Sequence, residues 1–288
     1  HGARAMKFAR GAALLLVLWL IALLTALIGA FALTARIESL QGKVLSAGAE
    51  TQELARAGIE YALVRVAETE PGMRWVPDGR PYRWNFAGAE LEIRIVDESG
   101  KVELNQADAV LLAALMQAVG TERDKAEQVA AAIIDWRDSD PLTQVNGGAE
   151  DPEYASAGLP YGAKDAMFES VAEVQQVLGM TPELFASLQP YLTVHGGSHP
   201  PNATYAPGPV LTAMGLDAAT LLAQRALPAG ADAAQLVGAG SGTYSIDSRA
   251  RRADGRGAAL QATVRAGSGS VPGSVYTVLR WQEGTAPQ

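Results

Sequence analysis

An uncharged stretch from Ala12 to Ala35 stands directly behind three basic residues, Arg4, Lys7 and Arg10. It includes Leu14, Leu15, Leu16, Trp19, Ile21 and Phe31, and it is longer than the 7–15 residues of an ordinary signal-peptide core. About 20 apolar residues cross roughly 30 Å of hydrocarbon, so the stretch reads as a membrane anchor. The basic flank predicts a cytoplasmic N-terminus, with everything after Arg36 on the far side, in a bacterium the periplasm. Apolar or small residues continue at Leu33, Leu40, Ala47, Leu54 and Tyr61, with Ile37 and Val44 interleaved, and no proline intervenes before Pro71. The pattern predicts one helix from Ala12 to about Val66, roughly 80 Å long at 1.5 Å per residue. Gly42, Gly48 and Gly58 each cost about 1 kcal/mol against Ala, so packing must hold the outer half together.

Composition constrains the rest of the chain. With 48% hydrophobic residues among 288, it can bury a sizeable core, and its lack of cysteine removes disulfides, thiolate nucleophiles and Cys-based zinc sites. A net charge of -8 disfavours nucleic acid as the main partner and favours divalent cations. The three histidines, His1, His195 and His199, come with no nucleophile elbow and no phosphate loop, and Gly238-Ala239-Gly240-Ser241-Gly242 is off by one residue for the elbow. The chain therefore reads as a non-enzyme.

Alternation from Leu91 to Val96 marks a half-buried strand, and Glu98-Ser99-Gly100 marks a turn. Helical periodicity runs through Val110, Leu111, Ala114, Leu115 and Val119, and again through Val129, Ile133 and Ile134 to Trp136. Between Glu169 and Leu184 two amphipathic helices joined by a glycine turn are expected, a helix-hairpin-helix shape, and a further helix is expected from Pro207 to Leu216. Alternation around Tyr244 and Ile246, around Leu260, Ala262 and Val264, and around Val275, Tyr276, Val278 and Leu279 predicts three antiparallel strands. An acidic stretch lies between these parts. Asp135, Asp138, Asp140, Glu150, Asp151 and Glu153 are accompanied only by Arg137 as a local countercharge, and crowded hard oxygens suit calcium, with 6–8 oxygen ligands, better than zinc or copper.

Three strings carry a family resemblance: the leader Lys7-Phe8-Ala9-Arg10-Gly11 before the apolar run, Asp97-Glu98-Ser99-Gly100-Lys101 with Leu104-Asn105, and Asp135-Trp136-Arg137-Asp138-Ser139-Asp140 leading to Gly147-Gly148-Ala149-Glu150-Asp151 and Tyr154. The chain resembles the K-class minor pseudopilins of bacterial type II secretion systems, within the type IV pilin superfamily. The resemblance implies cleavage by prepilin peptidase after Gly11 and N-methylation of Ala12. Most pilins carry Glu as the fifth mature residue, whereas Leu16 stands there, as is usual for the K class. It implies an α+β fold in which the long N-terminal helix packs on an antiparallel sheet with a large helical insertion. The expected segments are a leader (1–11), the helix (12–66, transmembrane over 12–35), the first part of the pilin-like domain (67–104), the inserted helical domain (105–197) and the remainder (198–288). By the same resemblance the insertion binds calcium through Asp138, Asp140, Glu150 and Asp151, together with Asp135. The implied partners are the I, J and H minor pseudopilins, the major pseudopilin, prepilin peptidase and the inner-membrane secretion platform, and the implied role is a cap at the pseudopilus tip.

The competing reading is a membrane-anchored module that grips DNA through the helix-hairpin-helix. Such a hairpin offers backbone N–H groups to a phosphate and needs basic residues nearby. Thr181 stands where a second glycine is expected, and no Lys or Arg occurs between Phe168 and Val194. Packing explains the hairpin better.

Overall fold

The computed structural model describes residues 8–70, 72–226, 240–267 and 276–284, with the side chains of 8–13 and 39–47 outside the description. Residues 1–7, most of the leader, lie outside it too, as do the surroundings of Gly11 and Ala12, Val275, and Gly238-Ala239. The chain forms two compact units, residues 1–53 and 54–288.

The first unit consists of the greater part of helix α1 (Phe8–Ala67). Its Leu14–Glu38 segment has a mean hydropathy of 2.8 and is long and apolar enough to cross a membrane. The large apolar side chains there face outward, Leu16 at 71% exposure among them, as a lipid-facing helix requires.

In the second unit the last turns of α1 rest on a five-stranded antiparallel sheet. Its strands are β1 (Asp78–Phe86), β2 (Ala89–Asp97), β5 (Thr243–Arg252), β6 (Gly257–Ala266) and β7 (Tyr276–Gly284), in spatial order β1-β2-β5-β6-β7. Burial alternates strictly along β2, so Leu91, Ile93 and Ile95 face α1 while Glu90, Glu92 and Arg94 face away. Leu54, Ile59, Ala62 and Val66 of the helix meet Ile246, Leu260, Ala262 and Val264 in this core. Edge strand β1 adds a row of stacked rings. Trp75 lies 4.2 Å from Tyr82, and Tyr61 lies 4.1 Å from Trp84.

β2 and β5 are hydrogen-bonded neighbours, with Asp97 opposite Tyr244, and a helical domain leaves and rejoins the sheet between them. It contains α2 (Ala109–Ala118), α3 (Arg123–Arg137), α4 (Asp151–Ser156), α5 (Pro182–Leu188), α6 (Gly208–Ala213) and α7 (Ala218–Ala226). Two short parallel strands, β3 (Val102–Glu103) and β4 (Leu192–Thr193), close its base. Its core joins Leu112, Leu115, Ile133, Trp136, Tyr154 and Leu188, and continues past residue 197 to Ala206, Val210 and Leu211. The first half of the expected hairpin is a 3-10 turn, Val171–Gln176, rather than an α-helix. Glu173 bends back to accept the N–H groups of Glu169 and Ser170, which confines the segment to one tight turn before Gly179 reverses the chain at φ 84°.

Three buried carboxylates hold the junction. Asp97 accepts the N–H of Ser99 at 2.8 Å and that of Ser241 at 2.7 Å. Glu98 accepts from Lys101 and Ser245 on one oxygen and from Thr193 on the other, and Glu103 accepts the N–H of Gly196 at 2.8 Å. Sheet and insertion are thus tied through one charge-assisted network.

Candidate metal centre

The acidic site is built at the C-terminal end of α3. Trp136 anchors that end, buried against Tyr154, Tyr161 and Phe168 with ring centroids 5.9, 6.4 and 6.4 Å away. One residue before it, Asp135 is fully buried and accepts the N–H of Gln144 at 3.2 Å, which pulls the loop after α3 back over the carboxylate. Asn146 and Gly147 adopt positive φ of 81° and 101°, turning the chain towards Gly148. A Cβ on Gly148 would stand 2.0 Å from Asp135 Oδ2, so only glycine fits beneath the loop.

Glu150 follows, just before α4, and brings its carboxylate to the same place. Oxygens of Asp135, Asp138 and Glu150 lie within 4.8 Å of one another. Oxygens across a calcium ion are separated by at most about 5 Å, twice its 2.3–2.6 Å bond length, whereas magnesium allows only about 4.2 Å. The three oxygens are thus gathered on the scale of one hard cation's coordination sphere. Glu150 Oε1 and Asp138 Oδ1 are buried and have no hydrogen-bond partner. Orphaned acceptors of this kind cost about 1–3 kcal/mol each unless a cation meets them.

Electrostatics point the same way. Burial, reinforced by the charges of Asp135, Asp165, Asp138 and Asp140, pushes the Glu150 carboxyl up to about 7. Burial also raises Asp135 against the opposing N–H groups of Gln144 and Ala149, and burial together with the Asp140 charge raises Asp138. Arg137 gives little relief, because its guanidinium donates to the carbonyls of Leu104 and Ala107.

Of the residues expected from the sequence, the fold brings Asp135, Asp138 and Glu150 together. Asp140 lies close enough to act on all three charges, while Oδ1 of its carboxylate accepts the N–H of Leu142 at 2.9 Å. Asp151 opens α4 with its carboxylate against Gly162, outside the group of three. Glu153 receives the N–H of Glu150 at 3.0 Å and serves the helix start. Asp165 is an addition that spacing does not reveal. It sits at φ 53° on a distant loop and adds its charge to Asp138 and Glu150. A non-glycine residue at positive φ is its one local signal, and that is visible only in the fold.

In the hairpin Thr181 Oγ1 accepts the N–H of Leu184 and caps α5, and Lys125 Nζ from α3 would be 2.9 Å from a Cβ on Gly179, over the turn.

An antiparallel sheet packed against the last turns of α1, interrupted by an acidic helical domain, defines a pilin-like α+β protein with an insertion. Residues 91–197, the strand, junction and acidic site just described, match the family model of the type II secretion system (T2SS), protein K. Type II secretion system protein K of Klebsiella pneumoniae is 30% identical over 208 residues, covering 64% of this chain and 62% of that protein. Its namesake from Pectobacterium carotovorum subsp. carotovorum is 29% identical over 204 residues, with the same coverage. The matched part thus spans about three fifths of these relatives. The fold also resembles a chain in the crystal structure of the GspK-GspI-GspJ complex from the enterotoxigenic Escherichia coli type 2 secretion system, at TM-score 0.58 and 15% identity, over 85% of this chain and 100% of that one. Over residues 91–197 the chain is thus similar to the type II secretion system protein K family.

Proposed function

We propose that the chain is a structural minor pseudopilin that caps the pseudopilus tip and helps start its assembly, anchored once in the inner membrane with its second unit in the periplasm. The carrying observation is the protein K domain at residues 91–197, built into a pilin-like sheet and enclosing a buried carboxylate cluster. I and J minor pseudopilins are the first partners, since a similar fold occurs in a complex containing both. The H class, the major pseudopilin, prepilin peptidase and the secretion platform complete the set. The role needs no catalytic group.

Leu16 supports the tip position. In a pilin-like filament the fifth mature residue, a Glu, neutralises the N-terminal ammonium of the subunit above, and an unpaired charge in hydrocarbon costs several kcal/mol. A subunit with Leu16 offers no such partner and is tolerated where nothing lies above. Immunogold labelling of sheared pseudopili tests the cap: label at one end supports it, and label spread along the shaft refutes it.

Calcium is the proposed ligand of the acidic site, held by Asp135, Asp138 and Glu150 with Asp140 and Asp165 completing its charge and Asp151 adjacent. The ion would supply the missing countercharge and tie the loop to α3 and α4. If the protein melts at the same temperature in EGTA and in millimolar calcium, the site is not a calcium site. The similar proteins give a DNA-binding role no support.

A further inference from the structure

The chain separates its charges. Between Asn105 and Gly197 fourteen acidic residues stand against four basic ones, which more than accounts for the net charge of -8. The sheet face turned away from α1 has the opposite balance. Arg83 projects there from β1, Arg94 from β2, Arg249 and Arg251 from β5, Arg265 from β6 and Arg280 from β7, against Glu90, Glu92 and Asp247. All six bases are arginine and none is lysine, and arginine is the side chain whose planar fork matches a carboxylate.

Half of these arginines are already engaged. Arg94 pairs with Glu92 at 2.9 Å, Arg249 with Asp247 at 3.0 Å and Arg83 with Glu90 at 3.9 Å. Among the described residues, Arg251, Arg265 and Arg280 are exposed and have no acidic partner. Arg251 also borders an open groove of about 600 Å³ between the β1–β2 and β5–β6 turns, lined by Phe86, Glu90, Arg252 and Gly255.

We propose that this arginine face docks the folded, carboxylate-rich surface of a different protein, with Arg251, Arg265 and Arg280 as the unpaired contacts. The interleaved acids argue against a continuous polyanion. In register, Glu92 lies between Arg83 and Arg249, and Asp247 lies opposite Arg94, so a nucleic acid, sulfated polymer or anionic bilayer would meet negative charge at every second step. A protein surface can present its own bases to those acids. Five strands about 4.8 Å apart and nine residues at about 3.4 Å each give a face of roughly 600 Å². That falls short of the ~800 Å² a stable partner occupies, so the contact is a transient, electrostatically steered one.

The test uses the full chain in a neutral detergent at 50 mM salt, with EGTA present so that the acidic site contributes nothing. Fluorescence anisotropy follows a labelled Glu–Ala copolymer, heparin and phosphatidylglycerol vesicles in parallel. The proposal expects the copolymer to bind, to release at 300 mM salt, and to bind at least tenfold more weakly to the Arg251→Gln, Arg265→Gln, Arg280→Gln triple variant. The triple lysine variant should recover part of the loss, and both variants should melt with the parent. Absence of copolymer binding, equal binding by the glutamine variant, or tighter binding of heparin or vesicles overturns it. Salt-sensitive self-association that the glutamine variant loses also overturns it, by making a second copy the occupant.

Discussion

Replacing Gly58 with alanine should destabilise the protein although it improves the helix. Gly58 lies in α1 where the helix meets β2 and β5, and a Cβ placed there would stand 2.2 Å from Ser248 Oγ, 3.0 Å from Leu91 Cδ2 and 3.2 Å from Ser248 Cβ. The serine hydroxyl and Leu91 crowd the new methyl from two sides, so the helix must lift from the sheet. Overpacking of this kind costs about 1–3 kcal/mol, against a propensity gain of about 1 kcal/mol. The balance is a loss of about 1 kcal/mol for Gly58→Ala. Ser248 supplies the partner arm of the experiment, because its hydroxyl is buried without a hydrogen-bond partner. Ser248→Ala alone should stabilise by about 1 kcal/mol, the desolvation cost of an orphaned hydroxyl. In the double variant the hydroxyl is gone and the new methyl meets only Leu91 and a Cβ, so a coupling of about 1 kcal/mol in the stabilising direction is expected. Urea unfolding of the four proteins in one detergent, followed by tryptophan fluorescence, measures the cycle. Additive effects, or a more stable Gly58→Ala, would show that the helix does not sit as close to the sheet as described.

Gly148→Ala should weaken the calcium response by an order of magnitude and lower stability by about 1–3 kcal/mol, since its Cβ would meet Asp135 Oδ2 and, at 2.7 Å, the Gln144 amide; calorimetry with and without EGTA reads both. Glu150→Gln should raise the melting temperature in EGTA, by removing one of the crowded charges, and abolish the calcium shift; a retained shift assigns the ion elsewhere. Burial alone would raise the Glu98 carboxyl, but the Lys101 charge and the hydrogen bonds from Lys101, Ser245 and Thr193 hold it below the usual range. Its stabilisation is therefore present above about pH 4.5 and lost as pH falls through the lower folded value. Glu98→Gln should cost about 3 kcal/mol at pH 7 and much less near pH 3 in a denaturant series. Substituting Gly11 should leave an uncut precursor by intact mass, and unchanged trimming would remove the reading of the leader.

Elements with a strong local pattern were legible in the sequence. The alternation Leu91, Ile93, Ile95 became a central strand, and the Asp97-Glu98-Ser99-Gly100 turn became the junction. Two of the three C-terminal strands formed around the alternating residues named for them, and β7 covers all of its set except Val275, which lies outside the described residues. β1 escapes a sequence reading, although Tyr82, Trp84 and Phe86 alternate, because Gly79 and Pro81 at its start read as loop; at a sheet edge both are tolerated. The site was half legible. Acidic spacing pointed to Asp135, Asp138 and Glu150, but which acids converge depends on how α3, α4 and the loop carrying Asp165 pack around Trp136. The same packing turns Asp151 to Gly162. Non-local contact of this sort leaves no periodic trace in one chain. Nor does the partnership of Glu98 with Ser245, which are far apart in sequence and adjacent in space.

The register of β2 with β5 bears on how the protein folds and how it could be rebuilt. Asp97 and Tyr244 face each other across a ladder, yet about 145 residues of chain run between them. If that chain were unstructured when the strands paired, closing it would cost about 4 kcal/mol from the logarithmic loop term alone. An insertion that has already folded, with much of its chain closed at the base by the parallel pairing of Val102–Glu103 with Leu192–Thr193, shortens the effective loop and lowers that entropic cost. The loop entropy therefore favours folding of the insertion before closure of the sheet, whose β5, β6 and β7 are synthesised last. The neighbouring ends also make the helical domain exchangeable, since a tight turn between β2 and β5 would leave the strand order and the α1 contact intact. Such a trimmed protein would be a minimal pilin-like sheet, and it would show what the insertion adds.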